Sequence, residues 1–258
     1  LVIGGTTAKD VLIRAAGPAL GEFGVAGVLL NPGLRIVNSA GATVAQNDDW
    51  QASGNGPAIS AAASRLGAFQ FQPGSQDAAV LTMLPPGSYT AIVSGVNDTT
   101  GVALIEAYDA DATPAIARTR KLVNIATRGR VNTGDDVLIA GLVVTGPGPR
   151  TFLIRAIGPT LAQAPFGIAA ALQDPLLQIY QGENLLREND DWDAPGSAQP
   201  ALREAATRVG AFALKEVRDG TGLDAAMLIT LQPGSYTAKV SGVQGTTGVA
   251  LVEVYEMP

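Results

Sequence analysis

Asparagine, two aspartates and a tryptophan stand together at Asn47, Asp48, Asp49 and Trp50, and again at Asn189, Asp190, Asp191 and Trp192. Clustered side-chain oxygens suit a hard cation such as calcium. That ion takes about six to eight oxygen ligands, so backbone carbonyls or further carboxylates would have to join. Asp77 and Asp224, each at the start of a later apolar run, are the natural additions. The same residue types have a second use, since Asn and Asp cap their own turns through side-chain to backbone hydrogen bonds while a tryptophan seals the packing beside them. Both uses are open at the level of sequence, and the spacing is not that of an EF-hand loop.

Arg14 and Arg155 sit in otherwise apolar runs, as do Glu106 and Glu253. Unpaired buried charge is costly, so one arginine and one glutamate per run are expected to form a structural ion pair. A glycosidase-like carboxylate pair, Glu106 with Asp77 or Asp49, is the sharper alternative, but nothing in the spacing selects it. Histidine and cysteine are absent, which removes imidazole bases, thiol nucleophiles, thiolate zinc sites and disulfides together. The stretches "GTTAKD" and "TGPGPRT" do not fit a phosphate-cradling loop and read as turns. No catalytic residue is therefore expected. The net charge of −6 and pI near 4.7 disfavour nucleic acid and anionic lipid as partners. The opening "LVIGG" lacks the features of a signal peptide, and no apolar run is long enough to insert in a membrane, so the chain reads as a processed product or an excerpt.

The elements that must position these residues come twice. "LIRAAGPAL" (12–20) matches "LIRAIGPTL" (153–161), "GAF" recurs at 67 and 210, and "DAA" at 77 and 224. "PGSYTAIVSGVNDTTGVALIEAYD" (86–109) aligns without a gap to "PGSYTAKVSGVQGTTGVALVEVYE" (233–256). The offset grows between Phe69 and Asp77, where the second copy inserts sequence of the "LKEVRDGTG" type, as surface loops tolerate. The copies are out of phase with the chain: "LVIGG" at the start of the first corresponds to "LVVTG" (142–146), so the first copy has no equivalent of residues 122–141 within these 258 residues.

Period-two alternation places Tyr89, Ala91 and Val93 inward with Tyr236, Ala238 and Val240, and groups Val102, Leu104, Glu106 and Tyr108 on one face. The glycine-rich "SGVNDTTG" between these runs predicts an antiparallel hairpin. Short helices are expected over 57–67 and 200–210, with proline in the first turn and glycine at the end. With 31 glycines and 16 prolines, the chain reads as all-β: two tandem jelly-roll-like β-sandwich domains with short helices in loops. The expected bounds are 1–109, a linker at 110–121, and 122–258.

The "NDD" turns followed by "LPPGSYTAIVSG" or "LQPGSYTAKVSG" and then "GVALIEAYD" or "GVALVEVYE" resemble the pre-peptidase C-terminal-like β-sandwich domains of secreted bacterial proteins. The "LIRAxGPxL…NDDW" unit is also similar to repeats of large bacterial surface proteins. The resemblance implies export to the cell surface or medium and a structural, adhesive or accessory role, with calcium binding in some relatives. A surface role carries the expectation of self-association or of contact with other surface components. The phase offset of the copies leads to the expectation of assembly into a filament by strand addition, with sequence lying before residue 1 as the alternative source of the missing segment. A carbohydrate-binding accessory module is the alternative, with tryptophans as stacking platforms, although aromatics make up 5% of the chain.

Overall fold

The structure, a computed structural model, describes residues 1–52, 54–111, 120–194, 198–216 and 223–258. The chain is mostly β, with antiparallel sheets and a few short helices, and divides into two compact units, Leu1–Val123 and Asn124–Pro258. Most of the expected linker, 112–119, and most of the second copy's insertion, 217–222, lie outside the described residues. Ala110 and Asp111, at the start of the expected linker, are buried within the first unit.

The first unit contains β1 (Val2–Gly5), β2 (Lys9–Ala16), β3 (Pro32–Asn38), β4 (Thr43–Asn47), α1 (Gly56–Leu66), β5 (Ala78–Leu84), β6 (Gly87–Gly95) and β7 (Leu104–Asp109). One sheet runs β4-β3-β6-β1 and the other β5-β2-β7. Ile3, Val11, Ile13, Ala15, Leu34, Ile36 and Val80 form an apolar layer shared by the two sheets, with Tyr89, Ala91 and Val93 packed against it as the alternation predicts. The other face of β2 presents Leu12 and Ala16 to α1, where Trp50, Ile59, Ala63 and Phe71 complete a second apolar layer. Helix α1 has Pro57 in its first turn and ends at Gly67, whose φ of 73° is the left-handed geometry that glycine adopts without strain.

The second unit repeats this plan with β9 (Leu138–Val144), β10 (Arg150–Ile157), β11 (Pro175–Gln181), β12 (Asn184–Asn189), α2 (Gln199–Arg208), β13 (Ala225–Leu231), β14 (Gly234–Gly242) and β15 (Gly248–Glu256). A further strand, β8 (Arg120–Val131), crosses the division between the units. Its residues 124–131 pair with β15, from Tyr255 opposite Asn124 to Gly248 opposite Val131. The sheets of this unit are therefore β12-β11-β14-β9 and the four-stranded β13-β10-β15-β8. Among the described residues the counterpart sheet in the first unit has three strands.

The hairpin expected across "SGVNDTTG" does not form. β6 pairs with β1 and β3, whereas β7 pairs with β2, so the connection carries the chain from one sheet to the other. Asn97 and Asp98 adopt φ of 56° and 58° in a 3₁₀-like corner, as Gln244 does in the second copy, and this geometry turns the strand away rather than folding it back. Both faces of the strand after the corner are consequently used. The Ala103, Ile105, Ala107 face, which varies between copies, corresponds to Ala250, Val252 and Val254 in the inter-sheet layer of the second unit.

Close approach of backbone fixes another shared feature. A Cβ on Gly17 would lie 2.0 Å from the Leu29 carbonyl oxygen, and one on Gly158 would lie 2.0 Å from that of Leu172. Gly17→Ala is expected to destabilise the first unit by about 1–3 kcal/mol through forced backbone separation. The check is urea denaturation, with a lowered midpoint and unchanged slope; an unaltered midpoint would show that the two segments separate freely.

Candidate functional site

The sequence-predicted oxygen cluster is built at the end of β4. The Asn47 side chain caps in two directions: Nδ2 donates to the Asp49 carbonyl at 2.8 Å and Oδ1 accepts from the Ala79 amide at 2.9 Å. The Trp50 amide donates to the Asp77 carbonyl at 2.9 Å. The turn is thereby stitched to the start of β5. In the second unit Asn189 makes the same pair of bonds, to Asp191 and from Ala226, and the Trp192 amide donates to Asp224.

Asp77 and Asp224 are fully buried and aim elsewhere. Asp77 Oδ1 accepts from the amides of Gly17 and Ala19 at 2.8 and 3.2 Å, and Oδ2 accepts from Ser75 Oγ at 2.7 Å. Asp224 Oδ1 accepts from Gly158 at 2.8 Å and Thr160 at 3.4 Å, while its Oδ2 accepts from the Thr160 hydroxyl. Burial pushes the Asp224 carboxyl above the usual carboxylate range, against the lowering effect of these bonds and of Arg155. Each of these aspartates thus ties the turn that follows β2 or β10 through Oδ1, and its Oδ2 is taken by a hydroxyl, Ser75 in the first unit and Thr160 in the second.

The oxygens left for a cation are those of Asp48 and Asp49, and of Asp190 and Asp191. Asp48 and Asp190 are exposed, and one side-chain oxygen each of Asp49 and Asp191 is buried without a hydrogen-bond partner among the described residues. In the second unit Asp174 joins the group. Burial, then the charges of Asp191 and Asp190, raise its pKa; burial, then Asp190 and Asp193, raise that of Asp191. Mutual repulsion of this kind is what a bound cation relieves. Among the described residues, no three acidic side chains converge closely enough to hold a metal ion by themselves.

The arginines and glutamates meet across strands. Arg14 stands opposite Glu106 in the β2–β7 register, with Nε 3.0 Å from Glu106 Oε2. Its Nη1 donates to the Phe69 carbonyl at 2.6 Å, its guanidinium lies 4.5 and 4.0 Å from the ring centres of Phe69 and Phe71, and the Tyr108 hydroxyl donates to Glu106 Oε1 at 2.6 Å. Burial lowers the Arg14 pKa, with Glu106 the largest opposing influence. In the second unit Arg155 is paired with Glu253, donates to the Phe212 carbonyl, and has its charge 4.4 Å from the Phe212 ring, while Tyr255 donates to Glu253. The ion pair is the arrangement found. Glu106 is held by Arg14 and Tyr108 rather than presented as a free carboxylate.

One buried cation escaped the sequence reading. Lys9 is wholly buried with Nζ 2.7 Å from both Asp109 and Asp111. The duplication carried the signal, because Arg150 and Glu256 hold the corresponding positions and also form an ion pair. Trp50 and Trp192, 5% and 2% exposed, lie under the helices and offer no face for a sugar. A cavity of about 250 Å³ in the second unit is lined by Leu153, Arg155, Trp192, Leu202, Arg203 and Leu214.

No family model matches the chain, and no curated protein matches it. Among solved structures, the infectious bursal disease virus VP2 subviral particle aligns at 6% identity with a TM-score of 0.22, covering 98% of this chain and 58% of the viral one. A likeness of that size carries no argument about fold or function. Among the described residues, no helix is long and apolar enough to cross a membrane.

Two outcomes test the charge network. Arg155→Met leaves a buried carboxylate without its partner and is expected to cost about 3–5 kcal/mol, most of it recovered in Arg155→Met/Glu253→Gln; denaturation of the two variants decides, and equal losses would show no coupling. Burial, with a hydrogen bond to Glu106 or the charge of Glu253, raises the phenol pKa of Tyr108 and Tyr255. A phenol raised in the folded state contributes stability that is complete below about pH 10 and is lost as pH rises toward the folded value. Spectrophotometric titration should therefore show two of the five tyrosines resisting ionisation until the protein unfolds.

Proposed function

We propose that the chain is a non-catalytic, extracellular structural or adhesive protein made of two tandem jelly-roll-like β-sandwich domains, assembling with its neighbours by strand addition. The observation that carries this reading is the difference between the copies. The second unit closes its β13-β10-β15 sheet with β8, while among the described residues β7 has a strand partner on one side, β2. An unpaired strand edge is a template for another strand. The engagement of Arg14, Glu106 and Asp77 in structural bonds supports a scaffold over a hydrolase. The burial of both tryptophans weighs against the carbohydrate-binding alternative. Calcium is a candidate ligand of the turns, through Asp48 and Asp49 and through Asp190 and Asp191 with Asp174.

Light scattering and electron microscopy of the purified chain, with calcium and then with excess chelator, test this. Concentration-dependent oligomers or filaments are expected, with calcium raising and chelator lowering thermal stability. A monodisperse monomer at all concentrations would overturn the assembly reading, and indifference to chelator would remove the calcium assignment.

A further inference from the structure

Lys9 and Asp111 bring an amine and a carboxyl group together out of reach of bulk water. Both side chains are 0% exposed, and Lys9 Nζ lies 2.7 Å from Asp111 Oδ2. A nitrogen that close to one carboxyl oxygen stands about 3–3.5 Å from the carboxyl carbon, the separation from which addition starts. The surroundings hold both groups still. Asp111 Oδ1 accepts from the Asp10 amide at 3.1 Å, and the Ala110 amide donates to the Asp10 carbonyl at 2.9 Å. Arg65, on α1, donates to the carbonyls of Ala110 and Asp111 at 2.9 and 3.2 Å. Lys9 itself opens β2 opposite the buried Leu84.

A second carboxylate completes the arrangement. Asp109 Oδ2 also lies 2.7 Å from Nζ, and Asp109 Oδ1 accepts from the Asp111 amide at 3.1 Å. Its side chain is 41% exposed, so it touches the amine on one side and solvent on the other. Burying an ion pair brings little net stability, and the enclosure of Lys9 with Asp111 therefore asks for another reason. The second unit differs in the decisive atom. There Arg150 faces Glu256, and a guanidinium keeps its protons and is no nucleophile.

We propose that Lys9 and Asp111 condense into an isopeptide bond that closes the first unit on itself. Asp109 takes a proton from the Lys9 ammonium, and the amine so formed adds to Cγ of Asp111. Negative charge gathers on Oδ1, where the Asp10 amide already donates. Collapse of the tetrahedral centre expels Oδ2, to which Asp109 returns the protons it has carried. The Nζ–Cγ bond forms, the Cγ–Oδ2 bond breaks, and two hydrogens of the ammonium leave with Oδ2 as water. No oxidant or further reactant enters. The bond ties the first residue of β2 to the segment leaving β7, 102 residues away, and so encloses nearly all of the first unit in one covalent loop. It does not depend on the assembly reading.

Mass spectrometry of the purified chain, denatured before measurement, tests this. The intact mass should be one water below that of the sequence, and trypsin should release residues 1–14, uncut at Lys9, joined to residues 66–118. Lys9→Arg keeps the cation but offers no amine, and it should show the full sequence mass and ordinary linear peptides. Asp109→Asn keeps the amine and the acid but loses the proton carrier. It should close at least about a hundredfold more slowly, read as the fraction still at full mass with time after synthesis. A wild-type chain at the full sequence mass would overturn the proposal, as would a missing water found within one linear peptide or retained in Lys9→Arg. Closure of Asp109→Asn as fast as the wild type would overturn the relay assigned to Asp109.

Discussion

A buried carboxylate at the start of one strand holds each unit together. Asp77 binds the amides of Gly17 and Ala19 through its side chain while its own carbonyl takes the amide of Trp50, so three segments far apart in sequence meet at one residue. Charged acceptors bonded to backbone amides are among the stronger hydrogen bonds, and burial removes the competition of water. The turn after β2 can then press against Leu29 without a side chain between them, which is why glycine occupies position 17. The tryptophan of the NDDW turn is delivered under α1 by the same bond. Asp224 repeats this in the second unit, and the repetition of so many dependent contacts explains why the motifs recur as a set.

The duplication made much of this legible in advance, because residues kept in both copies separate structural demands from chance. The short helices, the inward face of β6 and the Arg14–Glu106 pairing all follow from local pattern or from the cost of unpaired charge. Strand partners were less accessible. Alternation tells which side of β7 is apolar, but not whether the strand folds back on β6 or crosses to β2. That choice is made at Asn97 and Asp98, whose left-handed geometry the residue types permit without requiring. The roles of Asp77 and Lys9 were hidden for a related reason: their partners lie about 60 and 100 residues away in the chain, beyond any local spacing rule.

The copies also differ, and the differences fall where a constraint is relaxed. The Phe71 ring packs against Arg14 in the first unit, and a cavity lies beside Arg155 in the second. Ile105 and Val252 are chemically similar residues in equivalent strands, yet one is covered and the other is not. Nothing local to these two residues produces that contrast. Among the described residues it goes with β8, which lies beside β15 and not beside β7.

The buried ion pair raises a separate question of purpose. Buried pairs often contribute little net stability compared with apolar residues of similar size, so Arg14–Glu106 and Arg155–Glu253 need another explanation for their presence in both units. Register supplies one. A slip of one residue between β2 and β7 would turn Arg14 toward the inter-sheet apolar layer, leaving both it and Glu106 unpaired in a low-dielectric interior. Apolar residues on both faces of these strands would tolerate such a slip far better. The pair penalises the wrong alignments more than it rewards the right one, which fixes the pairing of β7 on β2.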